Sequence, residues 1–255
     1  MMKNIILEKQ ERTGLLIIDH PPANTFNLAT LEDFETALDE LESDRDIRVV
    51  VITGAGEKCF SAGFDVSDEA NIERTVPKGQ ELWRRVDRFS RPIIAAINGY
   101  ALGGGCELAI SCHFRIMVDQ PKAQIGLTEV NLGVIPGWGG TQRLPRLVGR
   151  ARALDMILFG KKINAPEALE VGLINQVATP DRLMDQAMDL AGRLAERPPL
   201  SVSCVLKAMS AGLYGGLDAG LQAELESAAI LRQSEDVAEG FAAFLEKRAP
   251  VFKGR

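Results

Sequence analysis

The chain has 255 residues, 46% hydrophobic and 25% charged, as expected for one large globular domain or for one domain with a small appendage. Its net charge of −6 argues against broad attraction to nucleic acid or anionic lipid. We find no signal peptide, no apolar run of the ~20 residues that span a bilayer, and no pairing pattern among the four cysteines. We therefore expect a cytoplasmic protein without a membrane segment or a disulfide framework.

The first part of the chain alternates predicted strands and helices. A short strand at 15–19 precedes helical spacing of apolar residues over 31–41. The segment 48–53 is β-branched and apolar on both faces, which is typical of a buried parallel strand. Residues 66–78 are charged and contain a proline, so we predict a mobile surface loop there, followed by a helix around 82–89.

The central segment has an apolar run, a glycine turn and then a helix. The run 93–97 predicts a buried strand, glycines occupy 103–105, and a helix is predicted over 106–110. A helix that follows such a turn presents unpaired N–H groups at the positive end of its dipole, where an anion or a developing oxyanion binds. Because Glu107 would lie in the first helical turn, the segment indicates acid/base chemistry on a carbonyl compound.

Strands and helices continue to alternate after the central segment. We predict a strand at 114–118, irregular glycine-rich structure at 125–140 and helices at 141–148 and 151–159. A capped helix then begins at Asn164, and a last strand is predicted at 173–177. From Asp181 onward the pattern is entirely helical, and the pair Pro198-Pro199 marks the clearest boundary. We therefore predict an α/β core over residues 1–197 and a helical region over 198–255.

Metal and nucleophile-triad chemistry lack their usual sequence signals. His20 and His113 are the two histidines, and neither has a ligand at helical i, i+4 spacing, so we expect no metal site. No Gly-x-Ser-x-Gly elbow, phosphate loop or Gly-x-Gly-x-x-Gly follows a predicted strand. The adjacent Cys112 and His113 are interpreted as packing at a helix end.

Two glycine corners, 61–65 and 102–106, and two glutamates, Glu107 and Glu129, remain as candidates. Taken singly, a glycine corner is commonly only a turn, and a glutamate in a first helical turn often only complements the dipole. Asp65 alone is interpreted as a helix cap, and Glu129 alone as a solvated loop residue. Their order along the chain makes the four features a single pattern.

Five segments carry that pattern, namely residues 22–24, 60–65, 98–107, 136–144 and 246–253. On these segments the chain resembles the enoyl-CoA hydratase/isomerase (crotonase) family along essentially its whole length. The resemblance implies an α/β fold, a crotonase-like spiral of ββα units, followed by a C-terminal helical region that builds trimers, commonly paired into hexamers. We therefore expect a homo-oligomer, although the helical spacing of Leu217, Leu221 and Leu225 also fits an intrachain core.

The resemblance also implies which residues act. In the family two main-chain N–H groups hold the thioester carbonyl, and by position these belong to Phe64 and Gly104. Two preorganised donors favour the enolate charge of the transition state over the ground state. Family hydratases place two glutamates around one water, and both match here as Glu107 and Glu129, with the N–H of Gly137 as a further group that holds the water.

Five further positions are carried over as substrate-binding, namely Ala62, Asp65, Trp138, Phe252 and Lys253. Phe64 and Trp138 are bulky where many family hydratases carry alanine, so their side chains are expected to narrow or flatten the acyl pocket. A short, branched or cyclic acyl group is therefore expected as readily as a long straight one. In relatives, the positions of Phe252 and Lys253 reach the nucleotide bound by a neighbouring subunit.

The leading hypothesis is an enoyl-CoA hydratase that needs no cofactor, because coenzyme A is part of its acyl-CoA substrate. A double-bond isomerase, in which Glu129 moves most protons, is the nearest alternative, and another acyl-CoA lyase or a hydrolase is a third. A non-enzymatic alternative is an RNA-binding member of the family. The arginines that favour it are Arg143, Arg146, Arg150 and Arg152, but the net acidity opposes it, and no nucleic-acid partner is expected.

Overall fold

A six-stranded, mainly parallel sheet runs through the part of the protein that a computed structural model describes, residues 2–255. In chain order the strands are β1 (Ile5–Gln10), β2 (Thr13–Ile18), β3 (Val49–Gly54), β4 (Cys59–Ser61), β5 (Ile93–Ile97), β6 (Tyr100–Leu102), β7 (Phe114–Val118), β8 (Ile125–Gly126) and β9 (Gln176–Ala178). The large sheet has the order β1-β2-β3-β5-β7-β9. Its one antiparallel pair among the described strands is β1 with β2.

A second sheet of three short parallel strands, in the order β4-β6-β8, produces the spiral. Each of β3, β5 and β7 in the large sheet is followed at once by one strand of this small sheet. The chain therefore repeats a two-strand unit and then returns through helical structure, which confirms the predicted crotonase-like spiral of ββα units.

The helices lie around these sheets, and their bounds are α1 (Leu28–Ser43), α2 (Ile72–Asp87), α3 (Gly104–Ser111), α4 (Gly140–Val148), α5 (Arg150–Leu158), α6 (Ala165–Glu170), α7 (Leu183–Ala195), α8 (Pro199–Gly215), α9 (Leu217–Leu231) and α10 (Glu235–Glu246). The start of α6 is as predicted, because Asn164 and Glu167 form a reciprocal capping box. None of the helices within residues 2–255 combines the length and apolarity needed to cross a bilayer.

The core lies between the large sheet and the helices and includes an edge-to-face aromatic group. Every residue of β3 is buried, as expected of a parallel strand covered on both faces. Phe26, Phe34 and Trp83 are fully buried, and each contacts at least one of the others with ring centroids 5.0–6.0 Å apart. Burial of such side chains stabilises the fold by roughly 1.5–3 kcal/mol each, and this group fixes α1 and α2 beside the site.

The predicted surface loop over residues 66–78 is wrong. A 3₁₀ turn covers Val66–Asn71, and α2 follows it directly from Ile72. The buried stripe of α2 includes Thr75 and Gly79, which are not strongly apolar, so the 3.6-residue periodicity was invisible in the sequence. Tertiary packing against the core thus overrides the helix-breaking tendency of Pro77.

Two smaller differences have local causes. The strand predicted at 173–177 begins only at Gln176, because the amides of Leu173 and Ile174 donate to the carbonyl of Ala168 at the end of α6. Strand β1 was not predicted, since beyond Ile5 its residues are at least partly exposed and carry the polar pattern of a sheet edge.

The C-terminal helices are less buried than the core. α8 and α9 pack against each other, yet α8 contains no fully buried residue. Both helices expose large apolar side chains, among them Val205, Met209, Leu213, Leu217, Leu221 and Leu225. The predicted boundary after residue 197 falls in the turn between α7 and α8, and the division into two regions stays a prediction.

Candidate active site

Two glycine corners meet at the edge of the small sheet. Gly63, at φ +87°, follows β4, and Gly104 is the first residue of α3. A Cβ on Gly63 would lie 2.5 Å from the amide nitrogen of Gly104, and one on Gly104 would lie 3.3 Å from Cα of Gly63. Because no side chain fits between them, glycine at both positions is what lets the two backbones touch.

Two amide groups beside this contact have no acceptor. The carbonyl of Gly63 accepts from Phe26 N at 2.7 Å, and the amide of Asp65 donates to Phe26 O at 3.1 Å. This bridge leaves the N–H of Phe64 between them unpaired within residues 2–255, and the N–H of Gly104 is likewise unpaired there. An unpaired N–H at the first residue of a helix lies at the positive end of the dipole, so the corner holds two neighbouring donors.

Glu107 lies one turn further along α3 and is 1% exposed. Its Oε1 accepts hydrogen bonds from the amides of Trp138 at 2.8 Å and Gly140 at 2.7 Å. Burial raises the pKa of Glu107 to about 7, and the negative charge of Glu129 adds to the rise, while the two amide donors oppose it. The carboxyl group therefore exchanges protons near neutral pH.

Glu129 has a different environment at the start of the 3₁₀ turn Glu129–Leu132. Both of its carboxyl oxygens are buried, and neither has a hydrogen-bond partner among the described residues. A Cβ built on Gly103 would lie 3.3 Å from Oε1 of Glu129, so this carboxyl group lies beside the turn that opens α3. Burial raises its pKa, while the nearby backbone amides of Glu129 and Thr128 oppose the rise.

The structure thus brings Phe64, Gly104, Glu107 and Glu129 to one turn, and their roles stay predictions. A buried pair of carboxyl groups with raised pKa values, next to two free amide donors, is a typical arrangement for moving protons on a carbonyl compound. Among the described residues, no cluster of three or more His, Cys, Asp or Glu side chains is placed to hold a metal ion.

The segment that precedes α4 supplies groups that the sequence did not reveal. The amides that bind Glu107 belong to Trp138 and Gly140, and such backbone donors leave no residue signature beyond the glycine-rich composition of 136–140. The N–H of Gly137 has no acceptor in the described chain, and its carbonyl accepts from Gln80 Nε2 at 3.3 Å. Its predicted part in holding a water stays a prediction.

Arg143 was missed as a site residue because the sequence places it among four arginines that were considered only for RNA binding. It is only 9% exposed, and its Nη1 donates to the carbonyl of Trp138 at 2.9 Å. Its Nε lies 3.5 Å from Oδ2 of Asp87 on α2. Arg143 thus joins α2 to the segment that binds Glu107, and it does not belong to an exposed basic patch.

The remaining predicted positions lie in two places. Asp65 caps the 3₁₀ turn of residues 66–71 by accepting from Ser67 N at 3.0 Å, and Ala62 N donates to Ala23 O at 3.0 Å beside the glycine corner. Phe252 and Lys253 are bound elsewhere, at the C-terminal end: Arg48 Nη2 donates to the carbonyl of Phe252 at 3.0 Å, and Lys253 N donates to Asp236 at 2.7 Å. Within one chain these two residues have no hydrogen bond to the glutamate pair. All five substrate-binding roles stay predictions.

Known proteins share this architecture over its full length. The family model described as enoyl-CoA hydratase/isomerase matches residues 8–255. The chain is 38% identical to a protein named short-chain-enoyl-CoA hydratase from Clostridium acetobutylicum, over 97% of this chain and 96% of that protein. It is 40% identical to the 2,3-dehydroadipyl-CoA hydratase of Escherichia coli, over 100% of both chains.

A solved structure agrees with these sequence relatives. The crystal structure of an enoyl-CoA hydratase from Bacillus anthracis superposes with a TM-score of 0.94 at 38% identity, and the match covers 99% of this chain and 100% of that one. The chain therefore belongs to the enoyl-CoA hydratase/isomerase family.

Proposed function

We propose that the protein is an enoyl-CoA hydratase, which adds water reversibly across the α,β double bond of an acyl-CoA thioester. The observation that carries the proposal is the pair of buried carboxyl groups, Glu107 and Glu129, at one turn beside two unpaired amides. The names of the relatives from Clostridium acetobutylicum and Escherichia coli support the same reaction.

The amides of Phe64 and Gly104 would hold the thioester oxygen. Negative charge grows on that oxygen as the enolate forms, and donors already fixed in place stabilise this charge without further reorganisation. Their proximity across Gly63 supports a shared acceptor. Loss of one such donor typically costs about 2.7–4 kcal/mol of activation free energy, so much of the rate enhancement depends on this corner.

The two carboxyl groups divide the proton transfers. Glu107 accepts two amide hydrogen bonds, which favour its ionised form, so it takes a proton from the water whose oxygen bonds to Cβ. Neither carboxyl oxygen of Glu129 has a hydrogen-bond partner among the described residues, so this group is available to the substrate, and we assign to it the delivery of a proton to Cα as the double bond is lost. The unpaired N–H of Gly137 is a further group for orienting that water. Exchange with solvent then restores both groups, and dehydration follows the same steps in reverse.

Coenzyme A belongs to the substrate in this scheme, and no separate cofactor is needed. We also propose that the exposed apolar side chains of α8 and α9 join copies of the chain into a trimer or hexamer. In such an assembly Phe252 and Lys253 would reach a neighbour's nucleotide. A cytoplasmic location stays a prediction from the sequence.

Turnover of two isomeric substrates tests the proposed function. The wild-type enzyme, Glu107→Gln and Glu129→Gln are each supplied with 2-butenoyl-CoA and with 3-butenoyl-CoA, and the products are identified by mass and chromatography. We expect the wild type to form 3-hydroxybutanoyl-CoA from 2-butenoyl-CoA, and each variant to lose about 10²- to 10⁴-fold in kcat.

The alternatives give different results. Interconversion of the two butenoyl-CoA isomers without hydration would indicate an isomerase, and free coenzyme A would indicate a hydrolase. If Glu107→Gln still adds water at the wild-type rate, Glu107 and Glu129 do not act together as the acid/base pair. Circular dichroism of both variants is the control for correct folding.

A further inference from the structure

The indole ring of Trp138 fills the space between two helices next to the glycine corner. The residue is 3% exposed. A Cβ on Gly79 of α2 would lie 2.3 Å from Cε2 of the ring, and a Cβ on Gly104 of α3 would lie 2.2 Å from Cζ3. The ring therefore packs directly on two glycine backbones, one of which bears an amide proposed to hold the thioester oxygen.

The backbone of Trp138 is fixed on both sides. Its N–H donates to Glu107, and its carbonyl accepts from Arg143. The ring makes edge-to-face contacts with Trp83, Phe26 and Phe64, at centroid distances of 5.6, 6.2 and 6.5 Å. Edge-to-face pairs of this kind are favourable beyond the buried area, so movement of the ring would cost several favourable contacts at once.

The burial of the ring favours contact with the acyl end of the substrate over contact with the coenzyme A end. Coenzyme A is large and charged, so it must leave the site toward solvent, whereas the acyl chain enters the protein. Trp138 is buried and contacts both Phe64 and Gly104, the residues on either side of the proposed oxygen position. An acyl chain that runs inward from the carbonyl carbon therefore meets the indole after a few carbons.

We propose that Trp138 is the closed end of the acyl pocket and restricts this enzyme to short-chain acyl-CoA substrates. The inference rests on the proposed function, because it takes the oxygen position from the amides of Phe64 and Gly104. Gly79 is the complementary feature, since only a residue without a side chain at this point of α2 leaves room for the indole.

Trp138 also lines a surface pocket of about 540 Å³ together with Gln142, Arg143 and Tyr214. Truncation of the indole would free the volume of the ring itself next to the glycine corner, and that volume would admit a longer chain. One methylene in a fitted pocket changes discrimination by about 10- to 200-fold, so the change in chain-length preference should be large.

The test compares 2-butenoyl-CoA with 2-octenoyl-CoA in wild type, Trp138→Phe and Trp138→Ala. We expect wild type to turn over 2-octenoyl-CoA at least tenfold less efficiently than 2-butenoyl-CoA in kcat/KM. The ratio of octenoyl to butenoyl kcat/KM should rise at least tenfold in Trp138→Ala and by a smaller factor in Trp138→Phe. Trp138→Phe keeps the test decisive if the alanine variant fails to fold.

Phe34→Leu is the matched control, because Phe34 is also fully buried and contacts Trp83 at 5.1 Å, yet makes no aromatic contact with Trp138. It should lower stability and leave the chain-length ratio unchanged. Equal turnover of both substrates by wild type would overturn the proposal, as would a ratio that stays constant in the folded Trp138 variants.

Calorimetric binding of butanoyl-CoA and octanoyl-CoA separates this inference from the proposed function. Saturated thioesters cannot be hydrated, so their affinities report on pocket length alone. If hydration is absent and Trp138→Ala still raises the affinity for octanoyl-CoA relative to butanoyl-CoA, the function fails and the pocket assignment stands. If hydration occurs and the relative affinities do not change, the pocket assignment fails.

Discussion

A carboxyl group lies on each side of the glycine turn that opens α3, and the two groups have different hydrogen-bond surroundings. On one side Glu107 faces the segment 136–140 and accepts two amide hydrogen bonds. On the other side Glu129 lies against Gly103 with both oxygens unpaired. Burial raises the pKa of both carboxyl groups, so the two surroundings differ chiefly in the two close amide hydrogen bonds that hold Glu107.

The largest loss of activity is expected from a substitution that moves the two glycine corners, at Gly63 and Gly104, apart. Gly63→Ala adds a Cβ at φ +87°, 2.5 Å from the amide nitrogen of Gly104, so the backbones must move apart. We expect kcat/KM for 2-butenoyl-CoA to fall by about 10²- to 10³-fold, as for the loss of one oxyanion donor.

Gly172→Ala is the control for backbone strain alone. Gly172 has φ +73°, but a Cβ there would meet nothing within 4 Å, and it lies after α6, outside the site. This variant should lose stability and keep most of its activity. Similar kcat/KM values for the two variants would mean that the contact between the glycine corners has no role in catalysis.

The pH dependence of stability sharpens the comparison. Glu107 has a pKa of about 7 in the folded protein and an ordinary value of 4.5. Between these values the unfolded chain has lost the proton while the folded chain keeps it, so this group stabilises the fold fully below pH 4.5 and progressively less as pH rises to 7.

Glu107→Gln removes that titration and keeps an oxygen for the two amides. We expect its free energy of unfolding to rise relative to wild type across this window, by about 3 kcal/mol at the upper end. Urea unfolding at several pH values measures the difference. A difference that is constant with pH would show that Glu107 is ionised normally in the folded protein.

A smaller effect is expected at Arg143, which supports the Glu107 side and has no counterpart at Glu129. Arg143→Met removes the bond to the Trp138 carbonyl, and a hydrogen bond from a charged group is worth about 1.5–3 kcal/mol. We expect kcat to fall at least tenfold with little change in KM.

The pH–rate profile distinguishes positioning from simple destabilisation. The charge of Arg143 lowers the pKa of Glu107, while Glu129 raises it, so the acid limb should move to higher pH in Arg143→Met and return toward wild type in Arg143→Lys. Arg146 is an exposed arginine whose side chain donates to the carbonyl of Gln142, and Arg146→Met should move neither kcat nor the acid limb. If the acid limb of the pH–rate profile does not move in Arg143→Met, Arg143 does not act through Glu107.

The parts of the fold that could be predicted are those with a local pattern. Runs of β-branched residues predicted the strand 93–97 and the buried strand β3. The family pattern located Glu107 and Glu129. In contrast, α2 was missed because Thr75 and Gly79 interrupt its apolar stripe. Gly79 is buried there because of a ring 59 positions away, and no local window contains that information.

The site shows the same limit. Backbone donors such as the N–H of Gly140 can come from any residue type, so the sequence located Glu107 but not what binds it. Arg143 lies among other arginines, and only the fold separates the buried one from its neighbours. The width of the acyl pocket was left open for the same reason, since a tryptophan can line, close or leave a pocket according to its packing.

A crystal structure of the enzyme with butanoyl-CoA tests the central claim most directly. We expect the thioester oxygen to lie about 2.7–3.1 Å from both the Phe64 and the Gly104 amide nitrogens. Glu107 and Glu129 should then lie on opposite sides of the Cα–Cβ bond. An oxygen that contacts neither amide, or carboxyl groups that face different cavities, would contradict it.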